Sequence, residues 1–316
     1  MLKRKMGSVL LLSAMVFTGC SSASGTSSSA SSMLEKIAER GVLNVGISTD
    51  KLGFALENTS TGELEGLEVE MTKQIAADIA KLEGVDSIDV DYTKVSSTTR
   101  TALLDEGSID IIAASYTDTK KRAETWNCSS AYFNDSVSVM TKKGVYANGV
   151  VDFLAKYKET GKKTTIAIGL GTTSGDALKE YMAGTLGMSE EEIGSCLEIK
   201  EFQTTDEIVI ALDTGVVDGW CVDYTFLFSY KNDTLEILGE TAGDMFVPQP
   251  LGIVTVYNNG VNEEDLEFTK FIQDEVRKFW ESGQMNEWLV EFGYPEQDAP
   301  ETLDCEYGPY FHIDQQ

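Results

Sequence analysis

Histidine, proline and cysteine are scarce in this chain of 316 residues, and the scarcity closes off several classes of chemistry. His312, the one histidine, lies near the C-terminus, which excludes an HExxH zinc site and argues against a Cys–His protease. Beyond Cys20 the cysteines are Cys128, Cys196, Cys221 and Cys305, spaced too widely for a zinc ribbon or a C-x-x-C redox pair. Disulfides stay open, and their pairing is not legible. No GxSxG elbow occurs. Basic residues are few as well: 25 Lys+Arg face 52 Asp+Glu, a formal charge of −27, which argues against nucleic acid as a partner. So acidic a surface does not forbid an anionic ligand. Exposed charges are screened beyond ~8 Å, whereas a buried arginine acts at contact range.

What is present at the N-terminus is an export signal, over 1–19. Lys3, Arg4 and Lys5 precede an apolar run from Val9 to Phe17, far short of the ~20 residues of a membrane-spanning helix. Phe17-Thr18-Gly19-Cys20 resembles a bacterial lipobox, with Phe17 where leucine is usual, and implies lipidation of Cys20. The alternative is an ordinary cleaved signal with an incidental cysteine. Ser21 to Ser32 is almost wholly Ser, Ala, Gly and Thr, a flexible coil reaching roughly 20 Å, so 20–32 reads as a tether to a membrane.

The rest is long enough for two lobes. Val42 to Ser48 reads as a strand, Gly66 to Ala80 as a helix with Met71, Ile75 and Ile79 on one face, and Ile88 to Tyr92 as the next strand. Strand and helix alternate, so the fold class is α/β. Ser136 to Thr141 is expected to cross to a second lobe, which opens with a strand at Thr164 to Gly169 and a helix from Asp176. Gly252 to Val256 is the expected return. Glu263 to Glu281 reads as an amphipathic helix with acids first and bases last. Trp288 and Phe292 read as packing residues.

The segment from Val95 to Arg122 carries the chemistry. Ile109, Ile111, Ile112, Ala113 and Ala114, broken only by Asp110, suit a buried parallel strand. Ser115, Tyr116 and Thr117 then fall just past its carboxyl end, where open α/β sheets bind ligands. With a helix from about Thr119 and the guanidinium of Arg122, this is a seat for a carboxylate. Gly169-Leu170-Gly171 begins like a dinucleotide fingerprint, but the third glycine is misplaced and no Gly-Lys-Ser/Thr follows.

Thr117, Thr119 and Arg122 stand in a T-x-T-x-x-R wording after the strand, and Gly215 to Asp223 fits G-x-V-D-A-x-x-x-D with Gly219 in place of the alanine. At these residues, and from about Gly41 to Gly293, the chain resembles the family 3 solute-binding proteins, the polar amino acid binding proteins of ABC importers. The resemblance implies a two-lobed type II periplasmic-binding-protein fold with a two-strand hinge. Lobe 1 would hold 33–140 and 252–316, and lobe 2 would hold 141–251.

It also implies a site. Arg122 with Ser115, Tyr116 and Thr117 would hold the ligand's α-carboxylate, aided by hydroxyls and N–H groups of Thr172 and Thr173, for which a plain turn is the alternative. Asp223 would take the α-ammonium, against a helix cap as the bland reading; Asp218 is structural. Arg100 in Ser96-Ser97-Thr98-Thr99-Arg100 would face a side-chain carboxylate, the alternative being an exposed ion pair with Asp105 or Glu106. Lys51, after Asp50, would add a second cation, though the lack of any proline before Pro248 departs from the family at this wall. The expected protein is a monomeric, membrane-anchored binding lipoprotein outside the cytoplasm. It has no cofactor, metal or catalytic residue, and delivers glutamate or aspartate, with glutamine next, to an ABC permease and its ATPase. A cyclohexadienyl-dehydratase-like enzyme and an amino acid sensor are the competing functions.

Overall fold

The computed structural model describes residues 31–238, 248–256 and 263–300. The export signal, Cys20, most of the tether, Cys305, His312 and everything after 300 lie outside the described residues.

The first described element is a helix the sequence reading did not anticipate. Ser32 ends the expected tether as the N-cap of α1 (Met33–Arg40), closing a capping box with Glu35, and Gly41 ends the helix in the left-handed conformation. Then follow β1 (Val42–Ile47), the small sheet β2 (Asp50–Lys51), β3 (Ala55–Glu57) and β4 (Leu64–Glu65), α2 (Leu67–Glu83), β5 (Asp89–Lys94) and α3 (Arg100–Asp105). At the N-cap of α2 only glycine fits: Gly66 has φ +139, and a Cβ there would lie 2.3 Å from the Phe54 carbonyl oxygen. Next come β6 (Ile111–Thr117), α4 (Lys120–Ala123), β7 (Trp126–Cys128) and β8 (Phe133–Lys142). The strand expected to stop at Ala114 therefore runs through Thr117, and the helix expected after Thr119 is a single turn.

A 3-10 turn at Gly149–Val151 leads into α5 (Asp152–Thr160), β9 (Thr164–Gly169), α6 (Ser174–Gly184), α7 (Glu190–Cys196) and β10 (Leu197–Phe202). After these come α8 (Thr205–Thr214), β11 (Gly219–Asp223), α9 (Tyr224–Phe228), β12 (Leu235–Leu238), β13 (Pro248–Val256), α10 (Glu263–Glu281) and α11 (Gln284–Glu291).

The main sheet runs β10-β9-β11-β8-β13-β6-β1-β5, with β12 on β8 and β7 on β13. Its two halves, the sheets of a two-lobed type II fold, meet where β8 and β13 pair antiparallel, Pro248 opposite Ser136 through Leu251 opposite Phe133. The return crossing thus falls at 248–251, ahead of the expected Gly252 to Val256. Either half is covered on both faces, which is why its strands read as apolar runs rather than alternations. Around β1, β6 and β13 one face packs Ile47, Ile111 and Ile253 against α2 and α10, while the other packs Ile112, Ala114 and Val254 with Leu104. The second half does the same with Val139, Ile166 and Leu178 on one side and Met140, Ile208 and Trp220 on the other. Trp288 stacks edge-on against Phe279 in the first core, as a packing residue does. Among the described residues no helix is long and apolar enough to cross a membrane, and no cluster of side chains could hold a metal ion.

Candidate ligand-binding site

The strand ends of the two halves face one another across a cavity of about 340 Å³. Asp50, Lys51, Arg100, Ser115, Thr117, Arg122, Thr172, Thr173 and Asp223, drawn from well-separated parts of the sequence, all line it. Tyr116 does not. Its ring is buried behind the wall and carries both arginines, with the Arg100 guanidinium 4.5 Å and that of Arg122 4.2 Å from the ring centroid.

Arg100 begins α3, only 6% exposed, which rules out the exposed ion pair; Asp105 instead accepts from the Trp126 indole at 2.8 Å. Its Nη1 donates to the Ala114 carbonyl at 2.7 Å, while Nε makes no hydrogen bond. Burial, with Arg122 beside it, pushes the Arg100 guanidinium down to about 10, so it stays protonated at neutral pH. Arg122 donates from Nη1 to the Thr117 carbonyl at 2.8 Å and from Nη2 to Gly171 at 3.3 Å, on the facing half. The short α4 offers little beyond that arginine, since the Thr119 hydroxyl already accepts from the Arg122 N–H.

Across the cavity Asp223 ends β11 at the N-cap position of α9 yet makes no side-chain capping bond, so its carboxylate does not serve as a helix cap. Its carboxyl is pushed above the ordinary value by burial, with Lys51 pulling it back and Asp135 raising it further. Asp218, by contrast, accepts from the Thr165 N–H at 2.8 Å and is structural. Thr172 and Thr173 use their hydroxyls within the protein, the first on the Gly169 carbonyl and the second on Gln249, each at 2.7 Å. Of the hydroxyls and N–H groups expected to face a ligand here, the hydroxyls are thus spent within the protein, and the N–H groups at the start of α6 are what the loop has to offer.

Lys51 departs from expectation. It is 3% exposed, and its ammonium lies over the Phe54 ring between Asp135 at 3.4 Å and Asp223 at 3.5 Å. It faces two carboxylates rather than an open anion subsite. Asp50 sits exposed at the lip, accepting from the Ser48 hydroxyl.

The sequence reading also missed Asp135, which holds Lys51 and accepts from the Thr225 hydroxyl, and Thr49, a cavity-lining residue whose buried hydroxyl oxygen has no partner. Ser97, three residues before Arg100, donates across the cavity to the Leu170 carbonyl at 2.6 Å. Trp220, Phe226 and Ile208 supply an apolar wall. Of these, Trp220 lies within the Gly215 to Asp223 motif, at one of its unspecified positions.

The model of the bacterial extracellular solute-binding proteins, family 3, matches residues 43–293. The chain belongs to that family. Similar family members include a glutamine-binding protein of Geobacillus stearothermophilus, 28% identical over 78% of this chain and 88% of its own. The ABC transporter glutamine-binding protein GlnH of Bacillus subtilis is 26% identical over 90% of this chain and 93% of its own length. The glutamate-binding protein GluB of Corynebacterium glutamicum is 25% identical, covering 89% of this chain and 86% of its own. Among solved structures, a mutant of ArgBP from T. maritima superposes with a TM-score of 0.64 at 19% identity, over 82% of this chain and 98% of that one. The ancestral amino acid-binding protein AncCDT-1, a precursor of cyclohexadienyl dehydratase, gives 0.63 at 19% identity, over 83% and 99%. At such identities these structures establish the shared fold and nothing about the ligand.

Proposed function

We propose that this solute-binding protein captures an acidic amino acid, glutamate or aspartate, between its lobes and delivers it to an ABC permease and its ATPase. The observation that carries the reading is the charge of the cavity wall. In a chain with net charge −27, Lys94, Arg100 and Arg122 line the cavity with no carboxylate among the described residues paired to them, while Lys51 is held between Asp135 and Asp223 and Asp50 sits exposed at the lip. Two guanidiniums share one aromatic ring, and a ligand bringing two carboxylates relieves their mutual repulsion. We assign Arg122 to the α-carboxylate, Arg100 with its unpartnered Nε to the side-chain carboxylate, and Asp223 to the α-ammonium. The names of the curated relatives support amino acid capture for an importer. Anchoring through Cys20 outside the cytoplasm, action as a monomer and division of the lobes near 140 and 252 are parts of the same proposal.

Charge-assisted hydrogen bonds contribute about 1.5–3 kcal/mol each. Four or five of them offset ligand ordering and leave the ~8 kcal/mol of a micromolar complex. Titration calorimetry on the chain from Ser21 onward with L-glutamate, L-aspartate, L-glutamine and L-arginine tests this. Micromolar or tighter binding of the two acids, with arginine silent, is expected. A clear preference for glutamine would favour the second reading, which rests on two relatives named for that amino acid. Prephenate should not be turned over; turnover would reinstate the dehydratase alternative.

A further inference from the structure

Glu68, in the first turn of α2, is fully buried, and its Oε1 accepts three hydrogen bonds: from the Ser115 N–H at 2.7 Å, the Ser115 hydroxyl at 3.1 Å and the Tyr132 hydroxyl. Burial keeps the Tyr132 phenol protonated and hence a donor. Ser115 is the one non-glycine residue with positive φ, +46, among the described residues. Side chains resist that backbone conformation, so something must hold it. The β6–β13 register slips between Gly252 and Val254, beside this kink. The residues flanking Ser115 carry both arginines: the Ala114 carbonyl accepts from Arg100, the Thr117 carbonyl accepts from Arg122, and the Tyr116 ring lies against both.

We infer that Glu68 is a positioning residue for the ligand seat, clamping Ser115 in its left-handed turn so that residues 114–117 aim both guanidiniums into the cavity. The inference rests on the reading above that Arg100 and Arg122 grip the ligand. Straightening Ser115 would rotate the peptide planes on either side and swing the carbonyls that orient the two side chains. Only one carboxyl oxygen does the clamping, for Oε2 makes no hydrogen bond. A glutamine, whose amide oxygen can take the place of Oε1, should therefore serve nearly as well. The Ser115 N–H and hydroxyl, expected to face the ligand's carboxylate, both donate to Glu68 instead, so a glycine at 115 removes no ligand contact and should need no clamp.

The test is calorimetry with L-glutamate and, in parallel, L-glutamine on the chain from Ser21 onward and its variants Arg122→Ala, Glu68→Ala, Glu68→Gln, Ser115→Gly and Glu68→Ala/Ser115→Gly, with a thermal melt of each. Glu68→Ala should lose about tenfold or more in affinity, Glu68→Gln and Ser115→Gly no more than about threefold, and the double variant should regain most of the Glu68→Ala loss. A folded Glu68→Ala with undiminished affinity overturns the inference. So does a double variant as weak as Glu68→Ala, or a Glu68→Gln as weak as Glu68→Ala, which would make charge the issue. If Glu68→Ala fails to fold, a double variant that folds and binds supports the clamp, and one that also fails to fold overturns it. Arg122→Ala separates the two levels. Unchanged affinity there, or no binding of either amino acid by the unaltered protein, sinks the reading of the site itself, whereas a weak Arg122→Ala beside a normal Glu68→Ala sinks the clamp alone.

Discussion

Asp223 holds a carboxylate where ionisation is costly. Its folded-state pKa is raised by burial, so protonation stabilises the folded chain: that contribution is complete below the ordinary carboxylate value and disappears as pH rises through the raised one. Asp223→Asn is therefore expected to melt higher than the unaltered protein at pH 8, with the difference closing as the buffer is acidified. The same variant should bind its amino acid more than tenfold more weakly, because a ligand ammonium loses its charged acceptor. The affinity of the unaltered protein should fall between pH 8 and pH 5 as Asp223 takes up a proton, which calorimetry at the two pH values measures. Arg122→Ala should also cost more than tenfold, for the reciprocal reason. That both residues reach the cavity wall was legible because each stands at a fixed offset from a strand end. Lys51 was placed at the cavity wall without its pairing to Asp135, which lies 84 residues away with nothing local to announce it. Glu68 was hidden for the same reason, with its Ser115 contacts 47 residues distant.

At the scale of elements, apolar periodicity located β1, β9, α2 and α10 closely, because buried strands and one-sided helices impose 2.0 and 3.6 residue repeats. Ends were less legible. β6 runs on through Thr117 because β13 continues the ladder beside it, a contact no window around Ala114 contains. Packing of α10 on α2 brings Glu275 and Lys278, neighbours one turn apart on α10, against Asp78. Burial and the neighbouring Asp78 raise the Glu275 carboxyl to about 7, against the pull of Lys278. A raised value means that the contact's contribution is present below the ordinary glutamate range and is lost as pH rises through about 7. Glu275→Gln should thus melt at or above the unaltered protein at pH 8 and lose that advantage at pH 5, as scanning calorimetry would read. Thr204, which closes a capping box with Glu207 at the start of α8, is a control of known size: Thr204→Ala should cost about 1 kcal/mol in chemical denaturation.

Across the whole molecule, the two halves touch through the residues that build the cavity: Ser97 to Leu170, Arg122 to Gly171 and Lys51 to Asp223. Gly171 has φ +77, and a Cβ there would come within 3.1 Å of the Ser97 carbonyl oxygen. Gly171→Val should wedge this seam, weaken ligand about tenfold or more and prevent the ligand-induced decrease in radius of gyration that hinge closure predicts for the unaltered protein in X-ray solution scattering. Every strand from β9 to β12 lies in the chain between the two crossings, β8 and β13. The polypeptide goes over once and comes back once. One uninterrupted stretch thus carries Thr172, Thr173 and Asp223, while Arg100 and Arg122 belong to the other side. With the ligand roles proposed for these residues, recombination at the two crossings would transplant half of the recognition chemistry between relatives as a single cassette, a simple route by which new specificities can arise from old scaffolds.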